Sequence, residues 1–289
     1  MLDSRQQFID MPSGTAVAGS DAAMPAGACS RDALLLQGGT ACPSSECLPE
    51  EVAVAFEING ISQVVMLATP ADLEDFALGF LLTEAMIDSP AQLLETEPEQ
   101  RAEGIVLHLR VTARCEEALR QQRRLLAGRT GCGICGVDKL EAVQRDPVRP
   151  LRADARVSAP ALQRALRELA TRQPLQRSTG ATHGAAWCDS HGAARIVRED
   201  IGRHNALDKL VGALTRSGID AARGLIAVTS RASVEMVQKT AAAGVAVLAA
   251  RSAPTQLAVQ AAERAGMLLA GYVREGRATI YAGAQRLAV

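Results

Sequence analysis

Two apolar runs, residues 52–58 and 61–67, flank Asn59-Gly60. Apolar runs joined by Asn-Gly predict a β-hairpin, because both turn residues tolerate the left-handed backbone that a two-residue turn needs. Thr69-Pro70-Ala71-Asp72 follows and predicts a helix start, with Thr69 as N-cap and Pro70 at the first helical position. Leu73, Phe76, Ala77, Phe80 and Leu81 then share one helical face, and the helix stops before Ser89-Pro90. Ile105, Leu107, Leu109 and Val111 alternate with Val106, His108, Arg110 and Thr112, the period of a half-buried strand with His108 on its surface face. Residues 116–126 (EEALRQQRRLL) read as helix.

Beyond a charged, proline-containing linker at 144–150, Ser158-Ala159-Pro160 caps a helix with Leu162, Ala165, Leu166 and Leu169 inward. A second hairpin is predicted from 185–188 and 193–197 about a turn at 189–192. Leu207, Leu210, Val211 and Leu214 form an apolar helical face. Asp200, His204 and Asp208 would line up beside it if all three are helical, and a capped helix with solvated ion pairs is the bland alternative. The remainder alternates: strand 225–230, helix 232–243, strand 245–249, helix 254–265, strand 267–273, then a short strand at 279–282. Such a βαβαβ order predicts a parallel sheet with right-handed crossovers. The fold class is therefore α/β, with an α+β N-terminal part. Residues 1–31 lack periodicity and read as a flexible tail, with patterned structure starting at Glu51 and Cys29, Cys42 and Cys47 incidental. The expected units are this tail, a smaller hairpin-and-helix domain over 50–145, and an α/β domain over 151–289.

Composition narrows the classes. The 289 residues are 48% hydrophobic and 2% aromatic, so Ala, Val and Leu must fill the core. A net charge of −1 argues against a broad nucleic-acid surface, so any anion site is local. No apolar run approaches a membrane span and no signal peptide is evident. Seven cysteines, an odd number without disulfide-like spacing, fit a reducing cytoplasm.

The chemistry concentrates at Arg129-Thr130-Gly131-Cys132-Gly133-Ile134-Cys135-Gly136. Glycines beside both thiols free the backbone around them. A predicted short helix at 137–143 places Cys135 near a helix N-terminus, with Arg129 and Lys139 close, and both features favour thiolate. Three other readings compete. Half a zinc site would need partners, of which His183 and Cys188 are the nearest. A thioredoxin-like motif needs a preceding strand, and a GxGxxG fingerprint needs a βαβ context. A second prediction concerns anions. Ligands of open α/β sheets bind beyond the carboxyl ends of strands, at helix N-termini. The loops Thr229-Ser230-Arg231-Ala232-Ser233 and Arg251-Ser252-Ala253-Pro254-Thr255 lie there, with arginines and hydroxyls suited to a phosphate or pyrophosphate. Capping alone also accounts for the hydroxyls.

The motifs TGCGICG (130–136), EDIGRHNALDKLVG (199–212), TSRASVEMVQKTAAAGV (229–245) and SAPTQLAV (252–259) together resemble the formate dehydrogenase accessory sulfurtransferase family, FdhD. The resemblance runs from the first hairpin to the C-terminus. It implies a sulfur carrier that takes persulfide sulfur from a cysteine desulfurase. The sulfur goes to the molybdenum bis(molybdopterin guanine dinucleotide) cofactor, a bound substrate, before insertion into formate dehydrogenase. It implies that Cys132 carries the persulfide, with Cys135 assisting or protecting it, and that the protein is a homodimer. It implies a cofactor-contacting segment at Tyr272-Val273-Arg274-Glu275-Gly276-Arg277, where Tyr272 replaces a common phenylalanine. Arg203 and His204 are assigned to the same site. It also implies a cytidine-deaminase-like larger domain. Zinc deaminases use H-x-E and P-C-x-x-C. No histidine here has Glu two residues on, and Gly131 stands in place of the proline, so deaminase chemistry is not expected. A permanent cofactor and a bound metal are not expected either. A cofactor-binding chaperone that carries no sulfur and a zinc-stabilised binding module are the alternatives.

Overall fold

A computed structural model describes residues 24–116 and 151–288. The first hairpin of the described chain is not the one expected. β1 (Ala28–Gln37) and β2 (Thr40–Pro49) pair antiparallel through Gly38-Gly39, whose φ values are 60° and 83°. Thus 28–31 belong to a strand rather than a tail, and ordered structure precedes Glu51. Most residues of this hairpin are exposed on both faces, so it lacks the alternation that marks a half-buried strand. Its Gly-Gly turn is the signal that could have found it.

β3 (Val52–Ile58) and β4 (Ile61–Ala68) form the expected hairpin, with Asn59 and Gly60 at φ 48° and 76°. β5 (Leu93–Arg101) and β6 (Gly104–Val111) complete a sheet of order β4-β3-β6-β5, in which β3 and β6 run parallel. β5 is an unanticipated edge strand; its LLETEPEQR sequence is polar because most of its residues face solvent, and the edge tolerates Pro98. Helix α1 (Leu73–Thr83) covers the inner face. Phe56 of β3 meets Phe76 edge-to-face at 5.1 Å and Phe80 at 4.7 Å. The helix starts four residues later than Thr69. Asp72, at φ 55°, is its N-cap; the Thr69 hydroxyl is engaged elsewhere, accepting from Lys209 Nζ at 2.9 Å and donating to Asp200 at 2.9 Å. His108 stands on the outer face, as expected. Its ring nitrogens lie 3.0 Å from Glu57 and 2.7 Å from Glu99, one on each neighbouring strand.

The larger sheet has the order β13-β12-β11-β10-β8-β9. A two-residue β7 (Val157–Ser158) leads into α2 (Ala159–Thr171), capped by the Ser158 hydroxyl, and a short α3 (Pro174–Thr179). Then come β8 (His183–Asp189), β9 (Ala194–Asp200), α4 (Arg203–Ser217), β10 (Gly224–Val228), α5 (Val234–Ala242), β11 (Val247–Ala250), α6 (Gln256–Arg264), β12 (Leu268–Arg274) and β13 (Arg277–Ala282). A terminal β14 (Leu287–Ala288) pairs with β7. β10, β11 and β12 are parallel, as the βαβαβ order requires. The hairpin β8-β9 and strand β13 extend the sheet antiparallel at either side. The inward residues of α2 pack on one sheet face with Ala186, Cys188 and Leu225. Helices α4, α5 and α6 cover the other face, with Ala185, Trp187 and Ile226. Among the described residues no helix is long and apolar enough to cross a membrane.

α1 lies directly against α4. A Cβ on Gly79 would collide with the Asp208 carbonyl, and one on Gly212 would collide with the Asp75 backbone. Charges flank this crossing. Arg198 of β9 grips Asp75 of α1 at 2.6 and 2.9 Å. Lys239 of α5 reaches Asp208 at 2.9 and 3.0 Å, with Thr83 and Glu84 also at 2.9 Å. Burial alone would push Lys239 down, but Asp208 and Glu84 hold it above its ordinary value.

Two predictions follow from this packing. Gly79→Ala forces two helix backbones apart and should cost about 3 kcal/mol or more, read as a lowered Tm in thermal unfolding. Hydrogen bonds to Glu99 and Glu57 raise His108 above its ordinary 6.5. Its stabilisation is therefore complete below that value and lost as pH rises through the raised one. Between about pH 6 and 8, His108→Gln should flatten the fall in Tm that the unmodified chain shows.

Candidate functional site

Asp200 ends β9 and so cannot share a helical face with His204 and Asp208; α4 begins at Arg203. Its carboxylate is fully buried and accepts from the Gly202 N–H at 2.8 Å and Asn205 Nδ2 at 3.0 Å. It also accepts from the Thr69 N–H and hydroxyl at 3.1 and 2.9 Å, and Lys209 Nζ lies 2.7 Å away. Burial pushes Lys209 below its ordinary value, against the pull of Asp200. These ion pairs are interior ones, not solvated surface pairs. They fix the first turn of α4, and with it Arg203 and His204.

His204 Nε2 lies 2.7 Å from Glu235 Oε2 on the first turn of α5, close but off the line of a good hydrogen bond. The His204 ring holds the Glu235 carboxyl below its usual range despite burial. Burial, then the nearby Arg203 and His204, push His183 down. Arg203 Nε and Ser233 Oγ are buried without a hydrogen-bond partner.

The strand-end loops are laced together. The Ala232 N–H donates to the Ala253 carbonyl at 3.2 Å and the Thr255 N–H to the Ala232 carbonyl at 3.0 Å. The Tyr272 N–H donates to the Ser252 carbonyl at 3.1 Å. The two predicted anion loops and the Tyr272–Arg277 turn therefore share one ledge. Ser230 does not line it through its hydroxyl, which donates to the Arg231 carbonyl at 2.9 Å. Val273 is a correction: its side chain is fully buried in the α2-side core, so it supports the ledge from below rather than touching a ligand. Tyr272 is 40% exposed at φ 51°, beside a bulge in the β12–β13 pairing. Gly271 permits the approach, since a Cβ there would stand 2.9 Å from Pro254 and from the Tyr281 ring. Backbone strain of this kind collects at functional sites. Gly276, at φ 67°, turns the chain after the exposed Glu275.

Arg231, Arg251, Arg274 and Arg277 are exposed and Arg203 is half-buried, and none has a carboxylate partner among the described residues. Arg274 and Arg277 sit opposite each other across β12 and β13, a like-charge pair that an anion would relieve. A cavity of about 600 Å³ opens at the same end, lined by Gln173, Gln176, Thr182, His183, Thr229 and Arg251. Another, of about 550 Å³, lies on the outer face of the small sheet, but its His108 is already held between two carboxylates. Cys132 and Cys135 lie outside the described residues. The suggested zinc partners do not converge: His183 and Cys188 are five residues apart on β8, about 16 Å, and face opposite sides of the sheet. Glu235 is the candidate site residue that the sequence motifs do not mark, and His183 joins the site in another role than the zinc partner considered above. Glu235 carries no such mark because Ser233, not a histidine, stands two residues before it.

The model of the FdhD/NarQ family matches residues 49–288. The chain belongs to the FdhD/NarQ family. It is 53% identical over 244 residues to a sulfur carrier protein FdhD of Cupriavidus necator, covering 84% of each chain. A protein of the same name from Variovorax paradoxus is 54% identical over 237 residues, 82% of this chain and 85% of that one. In solved structures, the fold is similar to one presented as a formate dehydrogenase accessory protein of Desulfotalea psychrophila. The TM-score is 0.72 at 22% identity, covering 90% of this chain and 99% of that one. The FdhD/NarQ match starts at Pro49, so nearly all of the β1-β2 hairpin precedes it.

The Asp200–Lys209 pair generates a test. Asp200→Ala should cost about 3–5 kcal/mol in denaturant unfolding, because it strands a buried cation. Adding Lys209→Met should recover part of that loss.

Proposed function

We propose that this chain is a sulfur carrier for formate dehydrogenase maturation, acting in the cytoplasm as a homodimer. The Cys132 thiolate attacks the outer sulfur of a cysteine desulfurase persulfide. A new S–S bond forms at Cys132, the donor's S–S bond breaks, and the donor cysteine leaves as thiolate. The Cys132 persulfide is then the sulfur donor presented to the bis(molybdopterin guanine dinucleotide) molybdenum cofactor, the substrate. Cys135, two residues on, assists or protects the persulfide.

The observation that carries this reading is the family match across 49–288, which includes TGCGICG intact. The ledge adds chemical support. Unpaired arginines, the unpartnered Arg203 Nε and the exposed Tyr272 suit a ligand with pyrophosphate and a base. The order β13-β12-β11-β10-β8-β9 is compatible with a deaminase-like domain. A chaperone that binds the cofactor without carrying sulfur would use the same ledge, and it would tolerate loss of both thiols.

Mass spectrometry after incubation with a cysteine desulfurase and cysteine separates the two. A reductant-labile gain of one sulfur atom is expected on the peptide containing Cys132, and Cys132→Ala should abolish both that gain and formate dehydrogenase activation. Activation that survives in Cys132→Ala would assign the chaperone role instead.

A further inference from the structure

Glu235 has unused capacity. One carboxylate oxygen faces His204, and no described residue donates a hydrogen bond to the other. The group is ionised at neutral pH and only partly buried. It sits on the first turn of α5, two residues after the N-cap Ser233, whose hydroxyl is unpartnered, and the charge of Arg203 helps to hold it ionised. An ionised carboxylate only accepts hydrogen bonds, so a matching ligand edge must present donors.

Its spacing is informative too. Ser233-Val234-Glu235 and Pro254-Thr255-Gln256-Leu257-Ala258 open consecutive helices, and the Ala232–Pro254 bridge brings those openings together. This is the layout of H-x-E and P-C-x-x-C in zinc deaminases. Ser233, Thr255 and Ala258 fill the metal-ligand positions; the Thr255 hydroxyl caps α6 and Ala258 is fully buried. Pro254 and the glutamate are kept, and in the deaminases that glutamate works against a nucleobase.

We propose that Glu235, braced by His204, reads the base of the nucleotide. Its carboxylate accepts from the N1–H and the exocyclic amine of guanine. Adenine offers an acceptor at N1 and is disfavoured. This rests on the guanine-dinucleotide reading above and makes Glu235 the residue that sets base specificity.

Titration calorimetry on the full chain with GDP, IDP and ADP tests it. The unmodified protein should bind GDP about tenfold or more tightly than ADP, with IDP, which lacks the amine, in between. Glu235→Gln should weaken GDP by about tenfold and, because its amide can donate to N1 of adenine, abolish or reverse the preference for GDP over ADP. Unmodified protein that binds GDP and ADP alike overturns the proposal without any variant. So does a Glu235→Gln protein that keeps the GDP preference. Pyrophosphate binding without any nucleotide preference would leave the arginine ledge standing and remove the base-reading role. Failure of the unmodified protein to bind any of the nucleotides or pyrophosphate would remove the guanine-dinucleotide reading itself.

Discussion

The crossing of α1 over α4 is the contact on which the rest of the molecule depends. Two helix backbones touch because Gly79 and Gly212 present no side chains there. That closeness puts Asp75 and Thr83 of α1 within reach of Arg198, Asp208 and Lys239. Charges so buried must be paired, since an isolated one would cost several kcal/mol. Pairing in turn fixes the rotation of α4 about its axis. The small sheet and its helix are therefore a brace for the larger sheet rather than an independent appendage.

Asp200 carries this constraint to the site. Five donors converge on its carboxylate, two of them from Thr69 at the end of the small sheet. The next helical residues are Arg203 and His204. A residue just beyond the β3-β4 hairpin thus helps decide where two ledge residues stand, through a fully buried carboxylate. This also explains why Thr69 does not cap α1. A cap would use its hydroxyl oxygen as acceptor, and that oxygen instead accepts from Lys209 Nζ while the O–H donates to Asp200.

Where periodicity reflects one buried face, the sequence was readable. Phe56, Phe76 and Phe80, the strands around Leu107, and the βαβαβ order all lie where pattern places them. It was unreadable where an element has no buried face, as in β1, β2 and β5, because exposure removes the alternation. Long-range hydrogen bonds were equally invisible: the Thr69–Asp200 link spans 131 positions and leaves no local mark. The ledge was legible as arginine-bearing strand ends. Val273 was misassigned because a segment motif does not tell which of its side chains turns inward.

A lack of carboxylate partners does not by itself define the ledge, since Arg167 and Arg264 are also exposed on other surfaces. Convergence does. Three loops laced by backbone hydrogen bonds bring arginines from four places in the chain to one end of the sheet. A strained, exposed Tyr272 stands among them, and three buried polar atoms there, Arg203 Nε, His204 Nε2 and Ser233 Oγ, make no hydrogen bond. Each feature costs stability when the site is empty, because like charges repel, strain persists and desolvated donors stay unsatisfied. A binding partner that is anionic, carries a flat ring and accepts and donates at fixed points would relieve all of them together. The ledge has the features that such a ligand would need, and the two cysteines of 130–136 lie outside the described residues. In the proposed function, sulfur chemistry at 130–136 and ligand recognition at the ledge are encoded in separate parts of the sequence, and the α1–α4 brace positions the ledge.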